Sequence, residues 1–199
     1  MTELELRSEM MDVVLKNLEE SSQVKDDLAI SGAESIVRAA ELMIKSLKAG
    51  GKILFCGNGG SAADSQHLAT ELLSKLKLER GAIPALALTT NTSILTAIAN
   101  DYDFANIFVR QVEAFGSEGD ILVGISTSGN SGNVIKAMEY AQENKIKTVG
   151  LTGGNSGRLP EYSDVVIIVP SQDVQRIQEA HITVGHILCD LIEQALFGR

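Results

Sequence analysis

His67 and Glu71 stand one helical turn apart in a stretch that reads as helix, so both side chains leave one face and can share a metal ion or a substrate. A solvated surface pair has the same spacing, and the spacing alone does not choose between them. Just upstream, Gly57, Asn58, Gly59 and Gly60 follow the apolar run Lys52 to Cys56 and lead into the helix at Ser61. Glycines there let the backbone approach a ligand, and the helix start offers free N–H groups and a positive dipole end, which suits an anion. Ser61 with Asp64 also spells a capping box, whose only work would be to start the helix. A second candidate is the loop Ser126-Thr127-Ser128-Gly129-Asn130-Ser131. Its hydroxyls, exposed N–H groups and following helix suit a dianionic phosphate, against the plainer reading of a serine-rich turn capped by one of its own serines. Gln178 and His186 form a third candidate on the last helix. An ideal helix separates them by about 12 Å and about 80° around its axis, so one ion does not easily bridge them. Either Gln178 lies in a distorted first turn, or the two residues serve sites formed by different chains.

The elements that must hold these residues follow from apolar periodicity. Leu4 to Leu18 has Met10, Met11, Val14, Leu15 and Leu18 at helical spacing. Ser31 to Glu34 reads as a capping box for a second helix, whose inner face is Ile36, Val37, Ala40, Met43, Ile44 and Leu47 and which stops at Gly50 and Gly51. After the first strand come strands at Ala85 to Thr89, Ile121 to Ile125, Thr148 to Leu151 and Val165 to Val169. Helices fill the intervals: a short one ending near Asn100 and Asp101, one from Ile107 to Phe115, one from Asn133 to Glu143, and a last one from Val174 to Phe197. In that last helix Ile177, His181, Val184, Leu188, Leu191 and Ala195 form a seam suited to another helix, of this subunit or of another, with His181 a packed residue rather than a ligand. Alternating strands and helices predict an α/β fold with a parallel sheet of about five strands flanked by helices on both faces, a flavodoxin-like sandwich. The expected division is 1–50 for two leading helices, 51–170 for the α/β core and 171–199 for the C-terminal helix, all in one domain. Ligands of such sheets bind beyond the carboxyl ends of the strands, where the small-residue loops converge.

Several chemistries are excluded or disfavoured. Gly57-x-Gly59-x-x-Ala62 loosely matches a dinucleotide fingerprint, but the second strand ends at Thr89, Thr90 and Asn91 with no acid for a ribose, and no Walker pattern is present. No nucleotide cofactor is expected. A net charge of −9 argues against nucleic acid and anionic membrane as partners. The two cysteines, Cys56 and Cys189, lack metal-ligand spacing and suit reduced thiols in cytosol. The charged start MTELELRSEMM is unlike a leader, and no apolar run approaches a membrane span, so a soluble cytoplasmic protein is expected. Hydrophobic residues make up 44% of the chain, which leaves material for subunit contacts and predicts an oligomer.

GNGGSAADSQH, GISTSGNS and RIQEAHITVGH with LCDLIE downstream resemble the sugar isomerase (SIS) family and, within it, the sedoheptulose 7-phosphate (phosphoheptose) isomerases, over nearly the whole chain. The resemblance implies conversion of the ketose phosphate to D-glycero-D-manno-heptose 7-phosphate through an enediol, at the start of bacterial heptose-precursor synthesis. It implies substrate contacts at Asn58, Gly59, Gly60, Glu71, Asn100, Asp101 and Gln178, with Ser126, Thr127, Ser128 and Ser131 on the phosphate. It further implies one zinc per subunit on His67, Glu71, Gln178 and His186, with Glu71 as base and His186 as acid, in a homotetramer whose sites lie between subunits. The chain departs from the family at Ser74-Lys75, where Gly-Arg is usual; lysine keeps the charge and loses the planar fork. Two other readings stay open: a regulatory SIS protein of the kind that associates with a replication initiator, and a sugar-phosphate sensor without turnover.

Overall fold

In the computed structural model, which describes residues 1–198, two helices lead into a five-stranded sheet. Helix α1 (Glu3–Ser31) is longer than the apolar spacing predicted. Thr2 and Glu5 form a reciprocal capping box at its start. Ser31 does not cap the next helix: it is the last residue of α1, with its hydroxyl donating 2.9 Å back to the Asp27 carbonyl. Helix α2 (Ala33–Lys48) is capped by Gly32 without any side-chain bond. The sequence offered serine a capping role, and the continuing helix claimed its hydroxyl first.

The strands are β1 (Ile53–Gly57), β2 (Ala85–Ala87), β3 (Ile121–Ile125), β4 (Lys147–Gly153) and β5 (Val165–Val169), all parallel in the order β2-β1-β3-β4-β5. Between them run α3 (Gly60–Leu73), α4 (Thr92–Asp101), α5 (Val109–Phe115) and α6 (Gly132–Glu143), and α7 (Val174–Phe197) closes the chain. β2 is two residues shorter than expected because it is an edge strand, although Leu88 N–H still donates to the Phe55 carbonyl beyond its end. α5 starts two residues later than expected, since a 3-10 turn at Phe104–Asn106 and the cap at Phe108 precede it.

Every residue of β1 and β3 is buried, as parallel strands covered on both faces require. Alternation then sends side chains into two cores. Ile53, Phe55, Ile121 and Val123 join α2, α3 and α7 on one face. Leu54, Cys56 and Leu122 join α5 and α6 on the other. The α7 seam is spent mainly inside the chain: Ile177, His181, Val184 and Leu188 are buried, while Leu191 is half-buried and Ala195 exposed. Burial pushes the His181 pKa down to about 4, so it packs as a neutral ring. Along α1, Met10, Met11, Val14, Leu15 and Leu18 are all exposed. No helix among the described residues is long and apolar enough to cross a membrane.

The cysteines give a direct check on this packing. Burial pushes both thiols up to about 12, with Glu71 adding to the effect at Cys189. Native protein is expected to stay unlabelled by a thiol-specific disulfide reagent, and the unfolded protein to titrate two thiols. Fast labelling of the native state would contradict the placement of β1 and α7.

Candidate active site

α3 and α7 run side by side in the same direction, and three cross-contacts set their register. Gln178 lies against Gly60, where a β-carbon would come 2.6 Å from its Nε2. His186 meets His67, with Nε2 to Nε2 at 2.9 Å and the rings edge-on at 63°. Glu193 accepts from the backbone just past the end of α3, at Leu76, Lys77 and Leu78.

The middle contact is the chemical one. Glu71 Oε1 is 3.2 Å from His67 Nε2, one turn along the same helix, as its sequence spacing requires. One ligand atom from each of His67, Glu71 and His186 lies within 4.8 Å of the others. His67 is open to solvent and Glu71 is only 20% exposed, so the cluster is reached from one side. Asp64, one turn before His67, has a carboxyl that burial raises to about 6, against the pull of His67. It makes no capping box with Ser61, because Gly59 caps α3 and Ser61 is already inside it.

Gln178 does not stand beside His186. It is held at the first turn of α3, about two turns before His67, as expected for residues eight apart on a regular helix. Asn58 is also engaged: its amide exchanges two hydrogen bonds with Asn133, at 2.8 and 2.9 Å. Its side chain therefore ties the glycine loop to α6, its carbonyl accepts from Ser61 N–H at 3.0 Å, and Gly59 and Gly60 are exposed. The sequence reading missed Asn133, whose only signal was an amide in the first turn of a helix after a serine-rich loop. Asn100 donates to Asp101 at 2.8 Å on the exposed end of α4, and no hydrogen bond among the described residues joins this pair to the histidines. Lys75 is spent on Glu79, at 2.5 Å on the surface.

The second constellation lies between β3 and α6. Ser126 and Ser131 hydroxyls are 2.9 Å apart, and Ser128 Oγ accepts from Asn130 N–H. Gly129 takes φ +65°, so the chain turns back and its carbonyl receives Arg158 and Leu159 N–H at 3.0 Å. Ser131 caps α6 without a side-chain bond and Asn133 Oδ1 takes Val134 N–H at 3.0 Å, which leaves the Gly132 and Asn133 N–H groups at that helix start for a ligand. A cleft of about 200 Å³ opens here, lined by Thr127, Ser128 and Asn130 and by Asn155, Ser171 and Gln172 from the exits of β4 and β5. The sequence reading named none of the last three as cleft residues; for Asn155 the Gly/Asn/Ser-rich exit of β4 was the available signal.

The SIS domain family model matches residues 17–153, which span β1, α3 and the serine loop. The chain belongs to the SIS domain family. Its relatives include a phosphoheptose isomerase of Clostridium acetobutylicum, 51% identical over 96% of this chain and 98% of that one. Two solved structures share the fold closely: a phosphoheptose isomerase from Neisseria gonorrhoeae (TM-score 0.88, 45% identity, 93% and 99% of the two chains) and one from Francisella tularensis (TM-score 0.90, 40% identity, 93% and 98%). Within the SIS family, this chain thus matches these three phosphoheptose isomerases over 98–99% of their length.

Proposed function

We infer that this SIS protein is an aldose–ketose isomerase that converts sedoheptulose 7-phosphate to D-glycero-D-manno-heptose 7-phosphate. The observation that carries the reading is the meeting of His67, Glu71 and His186 at the seam of α3 and α7, in a chain about half identical to phosphoheptose isomerases along its length. Moving a carbonyl between neighbouring carbons takes a proton from one and delivers it to the next. Glu71 is assigned as the base and His186 as the acid, each worth roughly 10² to 10⁴ in rate. The phosphate is assigned to Ser126, Thr127, Ser128 and Ser131 with the start of α6, and the sugar to Gly59, Gly60, the Asn58 backbone, Asn100, Asp101 and Gln178. The regulatory and sensor readings give no reason for a carboxylate and two imidazoles to converge.

The donor set fits zinc. Nitrogen and oxygen donors on a tetrahedral ion at 2.0–2.1 Å stand about 3.3 Å apart; His67 stands 2.9 Å from His186 and 3.2 Å from Glu71, and the remaining pair lies within 4.8 Å. His67, Glu71 and His186 would hold the ion, so metal binding and proton transfer compete for Glu71 and His186, and the assay arms with and without zinc separate the two roles. Gln178, at Gly60, is assigned to substrate or to a site completed by a second copy. Zinc bound there would polarise the substrate carbonyl. The exposed apolar stripe of α1 supports an oligomer, which we propose to be a homotetramer with shared sites; a monomer in light scattering would remove that proposal. Free buried cysteines support a cytoplasmic location, and the isomerase reading assigns the product to the supply of heptose precursors there.

The test is to incubate purified protein with sedoheptulose 7-phosphate, with and without added zinc, and to follow the aldoheptose phosphate by NMR. Product is expected. A folded protein that binds the sugar phosphate and forms none in either condition would favour the sensor reading.

A further inference from the structure

Beyond the cluster, α3 and α7 are tied once more, by groups that touch neither metal nor substrate. Arg80 Nε lies 3.0 Å from Glu193 Oε2, and both side chains are 1% exposed, more enclosed than any other ion pair among the described residues. The guanidinium also donates to the carbonyls of Leu72, Ser74 and Gly81 at 2.7 to 3.0 Å, and its Nη2 donates to the Glu71 carbonyl at 2.9 Å. These include carbonyls at the end of α3 that have no partner within the helix, and a cation is favourable at that end. The Glu193 carboxylate in turn takes three successive N–H groups, from Leu76, Lys77 and Leu78. Lys77 Nζ adds a bond of 2.6 Å to Asp190, on the same helix as Glu193.

Two features point past simple stabilisation. Glu193 lies two helical turns beyond His186, hence on the same face of α7, and Arg80 grips the main chain of Glu71 itself. A buried ion pair is also a poor device for stability alone, because desolvation offsets most of its attraction. Here four main-chain carbonyls on Arg80 and three N–H groups on Glu193 hold each charge in one place between the two helices.

We propose that Arg80 and Glu193 are positioning residues that fix the end of α3 to α7 in one register, so that Glu71 and His67 face His186. The proposal rests on the isomerase reading for its catalytic consequence. Its structural consequence stands apart: without the pair, the two helices slip relative to each other and the imidazoles part.

The experiment compares Glu193→Gln and Arg80→Lys with wild type and with Val112→Ala, a cavity variant in the core on the other face of the sheet. Each folded protein is assayed for kcat and KM. In chelator-treated protein, the cross-peak between the His67 and His186 ring protons is recorded; the chain has only three histidines, so the signals are resolvable. Both site variants are expected to lose on the order of 10²-fold in kcat, the scale of a 1 Å misplacement, with KM little changed and the cross-peak lost. Val112→Ala should lower the melting temperature and keep kcat and cross-peak. If Glu193→Gln does not fold, Arg80→Lys carries the test. A folded variant with wild-type kcat and an undiminished cross-peak overturns the proposal. A wild type without turnover would sink the isomerase reading, and the cross-peak would then decide the positioning by itself.

Discussion

Glu71→Gln is expected to lower kcat by about 10² to 10⁴, the range for a positioned acid–base group, while leaving the protein folded and able to bind sugar phosphate. The amide keeps the length of the side chain and one oxygen near His67, now 3.2 Å from the carboxylate, so the fold of α3 is not challenged. What it loses is the lone pair that takes the proton. Binding is expected to survive because the proposed phosphate site is elsewhere, on the loop between β3 and α6, where Ser126 and Ser131 hydroxyls stand 2.9 Å apart. Turnover of the heptose phosphate by NMR and substrate binding by calorimetry check the two halves of the statement separately. Full activity in the variant would remove Glu71 as the base. Loss of binding together with turnover would instead give it a part in holding the substrate.

Gly129→Ala is expected to produce the largest loss of stability of any single methyl added near the site. Gly129 has φ +65°, a left-handed conformation that costs an L-residue about 1–2 kcal/mol. A β-carbon there would also fall 1.8 Å from the Ser156 carbonyl oxygen and 2.8 Å from Thr152 Oγ1. The first of these is backbone and does not rotate away, so overpacking adds about 1–3 kcal/mol. Together the terms lower the melting temperature by roughly 4–20 °C in a chain of this size. Because Gly129 also receives Arg158 and Leu159 N–H, the shift moves the loop against the exit of β4 and is expected to widen the proposed phosphate site. Thermal unfolding and the KM for sugar phosphate read out both effects. An unchanged melting temperature would mean that the loop turns differently.

Much of the architecture was legible in the chain. Ile121 to Ile125 and Val165 to Val169 are short apolar or β-branched runs between turn residues, and they became β3 and β5 without adjustment. Val174 to Phe197 became α7 at the predicted bounds, because one apolar face recurs along its length. Errors fell at element ends. Ser31 was read as a cap and is the end of α1, and β2 stopped at Ala87, since local residue types leave end positions open to whichever hydrogen bond the tertiary fold supplies.

The site divides in the same way. Sequence by itself determined that His67 and Glu71 share a face, that a glycine loop and a serine loop each run from a strand end into a helix start, and that Gln178 and His186 stand well apart on one helix. These are local facts, decided by helical pitch and turn chemistry. Only the tertiary structure decided that His186 meets His67 across 119 residues of chain, that the Asn58 amide is taken by Asn133, that Gln178 rests on Gly60, and that Arg80 and Glu193 lock the end of α3 to α7. Pitch and propensity act over a few residues. Contacts between distant segments depend on how whole helices slide into register over a shared core, and α3 and α7 reach that register through Leu68, Val184 and Leu188 packed over one face of the sheet.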